Sequence, residues 1–262
     1  MGVLNVTPDS FYDGGKYLDP GAARDQAILL RDQGADILDV GGESSRPFSE
    51  PVSEEEELRR VLPVISEAVR LTNRDGAPMP VSVDTYRAGV AARALEAGAM
   101  IVNDISACAY DPGLLDVLAQ YRPGYVLMHS LGRPEEMQRD PRYGDVVREI
   151  MEFFEHNLNR LTEAGLPEKN IVLDPGIGFG KLLEHNLAIL KHIEAFQALG
   201  RPVLLGLSNK SLWGGLLGLA PSERGNATQA ATAVAAAKGV LIHRVHDVAH
   251  TLETLTVARH IA

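Results

Sequence analysis

The stretch LLGLSNKSLWGG, Leu204 to Gly215, decides the fold. An apolar run of strand length passes into Ser208-Asn209-Lys210-Ser211 and then into a second apolar segment. A lysine flanked by hydroxyls where a buried strand meets a helix is poorly placed for solubility alone. The same unit recurs along the chain. Short runs rich in Val, Ile and Leu lie at Val3-Val6, Ile37-Val40, Val81-Val83, Met100-Ile105, Tyr125-Met128, Ile171-Leu173, Val203-Leu207 and Val240-Val245. They are apolar without clean alternation, as expected of strands buried on both faces. Segments between them, such as Ala22-Gln33, Glu54-Leu71, Arg87-Ala97 and Asp145-Ala164, carry apolar residues at helical spacing. Gly34, Gly98 and Gly165 follow three of them, where helices commonly stop.

Eight strands alternating with helices predict a (β/α)8 TIM barrel, in a chain of 262 residues close to the ~250 usual for that fold. A doubly wound open sheet is the alternative, because strand count alone does not report closure. No shift of composition marks a linker, so residues 1–262 are read as one barrel domain. The first strand begins at once, and barrels of this kind often carry extra residues before it. The expectation is therefore that a short N-terminal leader is missing.

Composition narrows the functional classes. The chain is 45% hydrophobic, enough for a large core. Its single cysteine, Cys108, excludes an internal disulfide framework and a multi-cysteine metal site, and predicts a reducing, cytoplasmic setting. No apolar run approaches the ~18 residues of a membrane span, so no membrane partner is expected. With a net charge of −10 and no long basic run, nucleic acid is not an expected partner.

The strand ends carry the chemistry. In order they read Asn5-Val6-Thr7-Pro8-Asp9, Asp39 through Arg46, Asp84-Thr85, Asn103-Asp104, Met128-His129, Asp174-Pro175-Gly176, Ser208 through Ser211, and Arg244 through Asp247. Loops are polar anyway, which accounts for scattered Asp and Ser. It does not account for amides and carboxylates lodged inside apolar runs. In a barrel that end carries the active site, so the pattern reads as one convergent site. Asp84, Asn103, Asp174 and Lys210 offer donors and acceptors suited to a flat heterocycle with ring N–H groups, an amino group and a carbonyl. Arg244 and His246, two apart on a strand, point the same way and suit phosphate oxygens. Asn5 offers a hard oxygen ligand for Mg2+, which also binds phosphates.

Other features read more modestly. Gly176-Ile177-Gly178-Phe179-Gly180-Lys181 lacks both the dinucleotide spacing and the Walker pattern. Its glycines are read as allowing close backbone approach to a ligand, with Phe179 stacking on it. Cys108 is read as structural or surface, and His156, His185, His192, His250 and His260 as surface residues. His129, at a strand exit, is open between ligand and structural roles. The acidic run Glu54-Glu57 is read as a solvated first helical turn, favourable for the helix dipole.

Eight blocks, MGVLNVTPDSFYDGG, DILDVGGESSRP, VSVDT, IVNDIS, LMHSLGRPEEMQ, VLDPGIGFGK, SNKS and RVHDV, together resemble the dihydropteroate synthase family, in that family's order and over nearly the whole chain. The resemblance implies a transferase of folate biosynthesis that condenses (7,8-dihydropterin-6-yl)methyl diphosphate with 4-aminobenzoate, releasing diphosphate. It implies a pterin site of Asp84, Asn103, Ile105, Met128, Asp174, Phe179, Gly206 and Lys210. Diphosphate is expected on Asn5, Ser45, Arg244 and His246, with Mg2+ on Asn5. The 4-aminobenzoate pocket is expected at Ser45, Arg46, Pro47, Phe179, Ser208, Lys210 and Ser211, the last opening a helix whose amides receive the carboxylate. Asp9, Phe11 and Asp13 match the family's first mobile loop. Asp84, Asp174, Lys210, Arg244 and His246 are the expected catalytic set. Sulfonamides are expected as competitive inhibitors, and a homodimer as the assembly.

The sequence departs from the family pattern at three places. Ser45 stands where threonine is common and keeps the hydroxyl. Phe48 follows Pro47 where a small residue is usual. Asn209 replaces the usual arginine and removes one cation. Two rivals share the barrel. A methyltetrahydrofolate–corrinoid methyltransferase domain has the Asp/Asn pterin contacts but no need of a diphosphate grip. A non-catalytic pterin-binding homologue would explain the departures as lost chemistry.

Overall fold

The computed structural model describes residues 1–6, 20–44 and 51–261. Among the described residues, eight strands alternate with helices. The strands are β1 (Gly2–Asn5), β2 (Leu38–Gly41), β3 (Val81–Asp84), β4 (Ile101–Asp104), β5 (Gly124–Met128), β6 (Ile171–Asp174), β7 (Leu204–Leu205) and β8 (Ile242–His243). The helices are α1 (Pro20–Asp32), α2 (Glu54–Ala68), α3 (Ala88–Glu96), α4 (Leu114–Tyr121), α5 (Val146–Glu163), α6 (Leu183–Lys191), α7 (Leu212–Leu217), α8 (Gly225–Ala237) and α9 (Val248–Ile261).

β1 to β6 form one parallel sheet in sequence order, and β7 pairs with β8. Two single parallel bridges, Leu173↔Val203 and Gly2↔Val245, join these sheets into a ring. The second seam is reinforced by Val3 N to Val245 O at 2.9 Å and Val245 N to Met1 O at 3.0 Å. The expected barrel is therefore present, with its ring thinnest on either side of the β7–β8 pair.

β2 is buried along its whole length, and its Val40 is packed inside the ring of helices. That two-sided burial is why the strands read as apolar runs without alternation. Helix ends follow local chemistry. Ser53 caps α2 by accepting from Glu56 N at 3.2 Å, and Asp145 caps α5 by accepting from Val147 N and Arg148 N, both at 3.1 Å. Gly34, Gly98 and Gly165 close helices with positive φ near 105°, as their positions in the sequence predicted.

One expectation is corrected here. The acidic turn Glu54-Glu57 is not wholly solvated, because Glu57 is buried and ion-paired with Arg87. Helical spacing turns this fourth carboxylate inward, over Gly42 at the end of β2.

Candidate active site

Parallel register lines up the polar strand ends. Asn5 pairs with Gly41, Gly41 with Asp84, and Asp84 with Asn103, so one row crosses β1 to β4. On the other side Met128 pairs with Asp174. A Cβ at position 41 would lie in van der Waals contact with Asp84 and Asn5, so Gly41 sits between these two side chains.

Asp39 ties this row to β8. It is fully buried, and its Oδ2 accepts from Asn103 Nδ2 at 3.0 Å and from Arg244 Nε at 2.6 Å. Arg244 Nη2 donates to Asp84 Oδ2 at 2.6 Å. Asp39, outside the predicted set, thus joins Asn103 and Arg244 directly and Asp84 through Arg244. The signal for it was present, since Asp39 interrupts the apolar run of β2. Asp39 Oδ1 is buried with no partner among the described residues. Burial pushes the Asp84 carboxyl up to about 7, against the pull of Arg244 and with a further push from Asp39. The two carboxylates hold the Arg244 guanidinium firmly charged. Arg244 therefore reaches the site already engaged, with Nη1 as the nitrogen still lacking a partner among the described residues.

The opposite wall is less tightly paired. Asp174, at the end of β6, is buried and accepts from Gly176 N at 2.8 Å. Burial raises its carboxyl, opposed by that bond and by the positive charges of Lys210, Lys181 and Arg244. Lys210 Nζ lies 4.4 Å from the centroid of the Phe179 ring and has no hydrogen-bond acceptor among the described residues. Burial lowers its pKa to about 8, with Asp174 pulling it back up. Gly178 places its backbone beside the Lys210 stem, and a side chain at Gly206 would meet nothing within 4 Å. Ile105 and Met128 are buried apolar neighbours on this cup.

His129 proves structural. Its buried Nδ1 lies 2.9 Å from Lys181 Nζ, which also donates to His129 O at 3.2 Å and Phe179 O at 2.9 Å. Burial and the neighbouring lysine hold the imidazole neutral, its pKa lowered to about 3. Lys181, itself buried and lowered to about 7, anchors the glycine-rich turn. Gly176 adopts φ +68°, and a Cβ there would lie 2.0 Å from His129 O. Only glycine permits that approach.

The β7 exit also resolves. Ser208 Oγ lies 3.2 Å from His246 Nδ1, and His246 is exposed at the rim. Asn209 is left-handed at φ +54°, a conformation asparagine tolerates better than most residues. Arg224 Nη1 donates to Asn209 O at 3.2 Å, so a guanidinium stands beside the position where the family carries arginine. Ser211 flanks α7 without a side-chain capping bond. Among the remaining histidines, His185 differs from expectation. It is partly buried, stacks edge-on against Tyr143 at 4.9 Å, and accepts from Leu182 N. Cys108 is buried, with Sγ 3.5 Å from the Tyr125 hydroxyl. Asp9, Phe11, Asp13, Ser45, Arg46, Pro47 and Phe48 lie outside the described residues.

A family model described as pterin binding enzyme matches residues 1–246. The dihydropteroate synthase of Bacillus subtilis (strain 168) is 47% identical over 248 residues, covering 95% of this chain and 83% of that protein. The dihydropteroate synthase of Escherichia coli (strain K12) is 42% identical over 257 residues, covering 98% and 89%. Among solved structures, the Yersinia pestis dihydropteroate synthase in complex with a sulfonamide drug superposes with TM-score 0.91 at 40% identity, covering 99% of this chain and 92% of that one. The Xanthomonas albilineans dihydropteroate synthase with 4-aminobenzoic acid gives 0.90 at 42% identity, covering 99% and 91%. The same enzyme in complex with 7,8-dihydropteroate gives 0.87 at 41%, covering 99% and 92%.

Proposed function

The chain belongs to the pterin binding enzymes, and we propose that its strand-end cup condenses (7,8-dihydropterin-6-yl)methyl diphosphate with 4-aminobenzoate. It is a transferase of folate biosynthesis, a dihydropteroate synthase in function. The observation that carries the residue assignment is the convergence of Asp84, Asn103, Asp174 and Lys210 on one rim, with Phe179 against Lys210.

In this reading the pterin's ring N–H and amino groups donate to Asp84 and Asp174, and Asn103 makes a further bond. Lys210 donates to the ring carbonyl or a ring nitrogen. The C–O bond to diphosphate breaks, positive charge develops on the exocyclic methylene, and the neutral arylamine nitrogen forms the new C–N bond before losing its proton. No strong base is required ahead of that attack. Catalysis is chiefly positioning and charge compensation. Arg244 Nη1 and His246 face the leaving group, while the Asp174 carboxylate offsets the developing cation. Phe179, whose ring packs on Lys210, and Ser208 and Ser211, beside Lys210 in the chain, border the arylamine, with Ser45, Arg46 and Pro47 assigned to the same pocket by family resemblance. Ile105, Met128 and Gly206 supply the apolar wall and the open floor.

Mg2+ fits this donor set in one particular way. Among the described residues no cluster of three His, Cys, Asp or Glu could hold a metal. Asn5 Oδ1, at the end of β1, instead supplies a single hard oxygen, which suits an ion that takes its other ligands from water and phosphate. When bound, Mg2+ would neutralise charge on the departing diphosphate.

Sulfonamides are expected to compete with 4-aminobenzoate, given the Yersinia pestis complex. A homodimer is supported by exposed large apolar side chains, among them Leu217 on α7 at 58% and Leu241, just before β8, at 72%. The cytoplasm is supported by a free, buried thiol at Cys108. The test is diphosphate release on mixing both substrates with Mg2+. Release that depends on the arylamine, in step with dihydropteroate, is expected. Methyl transfer to a corrinoid protein, or binding without release, would overturn the proposal.

A further inference from the structure

Arg87 stands outside the residues assigned to either substrate. It flanks the start of α3, and its guanidinium turns away from that helix toward the end of β2. Nη2 donates to Glu43 Oε2 at 2.9 Å and to Val52 O at 2.6 Å, and Nη1 donates to Glu57. Glu43 Oε2 also accepts from Val52 N at 3.0 Å, and Glu43 Oε1 accepts from the Tyr86 hydroxyl at 3.0 Å. Residues 43 and 52 are therefore fastened to one another and, through Arg87, to the end of β3 that carries Asp84.

The run between them, 44–51, carries Ser45, Arg46 and Pro47. Its two ends are held by charge-assisted bonds in a half-buried setting, where such bonds are short and strong. The Arg87 and Glu43 side chains are each 14% exposed, and that of Glu57 is 1% exposed. An arginine fork can hold two carboxylates and a carbonyl at once, which a single ammonium group cannot. We propose that Arg87 is a positioning residue for 4-aminobenzoate, acting by fixing where the 44–51 run leaves and rejoins the barrel. The inference rests on the reading above that Ser45, Arg46 and Pro47 border that substrate.

The test uses steady-state kinetics of the full chain together with hydrogen exchange at the Val52 amide. Arg87→Met should raise the KM for 4-aminobenzoate about tenfold, leaving kcat and the KM for the pterin diphosphate within about twofold. Arg87→Lys should recover part of the loss. Because Arg87→Met leaves Glu57 buried and unpaired, it can unfold the protein. Glu43→Gln keeps the Arg87–Glu57 pair and should show the same KM split more weakly. Both variants should exchange the Val52 amide faster than wild type. A general fall in kcat, or equal changes in both KM values, would overturn the inference. So would unchanged Val52 exchange, which reads the clamp whether or not the chain is a synthase. Loss of the synthase reading would instead show in the wild type, as no arylamine-dependent diphosphate release.

Discussion

The two walls of the cup are built on opposite plans. On the β2–β3–β8 side, Arg244 lies between Asp39 and Asp84 at 2.6 Å from each, and Asn103 is tied to the same Asp39 oxygen. On the β6–β7 side, Asp174 has one backbone donor, and Lys210 has an aromatic face and no acceptor among the described residues. The first wall is tied together by these bonds, with Asp39 Oδ1 alone among its carboxylate oxygens buried and unpartnered among the described residues, and so holds its shape before any ligand arrives. The second leaves a carboxylate with a single backbone donor and a half-buried ammonium against an aromatic face, so a ligand's donors and acceptors have groups there to engage. Stability and reactivity should therefore separate between the walls.

The largest effect should come from the paired wall. Asp39→Ala strips Arg244 and Asn103 of a shared, fully buried partner, and breaking a buried pair costs about 3–5 kcal/mol. In a chain of this size that lowers Tm by roughly 10 °C in a thermal melt. A Tm near wild type would erase the distinction between the walls.

The open wall should give the opposite signature. Asp174→Asn keeps the shape and the Gly176 bond but removes the charge opposed to the developing cation. Turnover should fall by about 10²–10³, the scale for losing one preorganised electrostatic contact. Its Tm should not fall, because burial already disfavours the charged carboxylate. Near-normal kcat would remove Asp174 from the reaction.

A smaller, graded effect should come from histidines behind the walls. Burial lowers His129 to about 3 and His243, whose ring nitrogens have no partner among the described residues, to about 4. An unfolded histidine binds a proton below about 6.5, while these two stay neutral in the fold. The unfolded chain thus holds more protons between about pH 6.5 and pH 4, and stability falls as pH drops through that window. His243→Leu should flatten the decline in Tm measured from pH 7 to 4. An unchanged slope would show that His243 does not contribute.

Much of this was legible in the sequence, for reasons that also set its reach. The first six strands start and end within about two residues of the apolar runs that announced them, because burial on both faces leaves a continuous signal. The last two runs overstate their strands. Val203-Leu207 and Val240-Val245 shrink to Leu204–Leu205 and Ile242–His243, since apolar content reports burial and not ladder pairing at the thin seams. Within the site, polar residues at strand ends identified Asp84, Asn103, Asp174 and Lys210, because a carboxylate or amide inside an apolar run has few other uses. Asp39 carries the same signal, but its role as the shared acceptor of Asn103 and Arg244, 64 and 205 residues away, shows only in the fold. The Lys181–His129 pair and the inward turn of Glu57 likewise depend on distant backbone, which no local spacing encodes.

One cup, with a paired wall and an open one, receives the pterin in the proposed reaction. This is tested most directly by a crystal structure of this chain soaked with a dihydropterin and 4-aminobenzoate. Pterin donors should lie on Asp84 and Asp174 and a ring acceptor on Lys210, with the Arg244–Asp39–Asp84 bonds unchanged. A pterin bound elsewhere, or an Arg244 that leaves both carboxylates on binding, would contradict it.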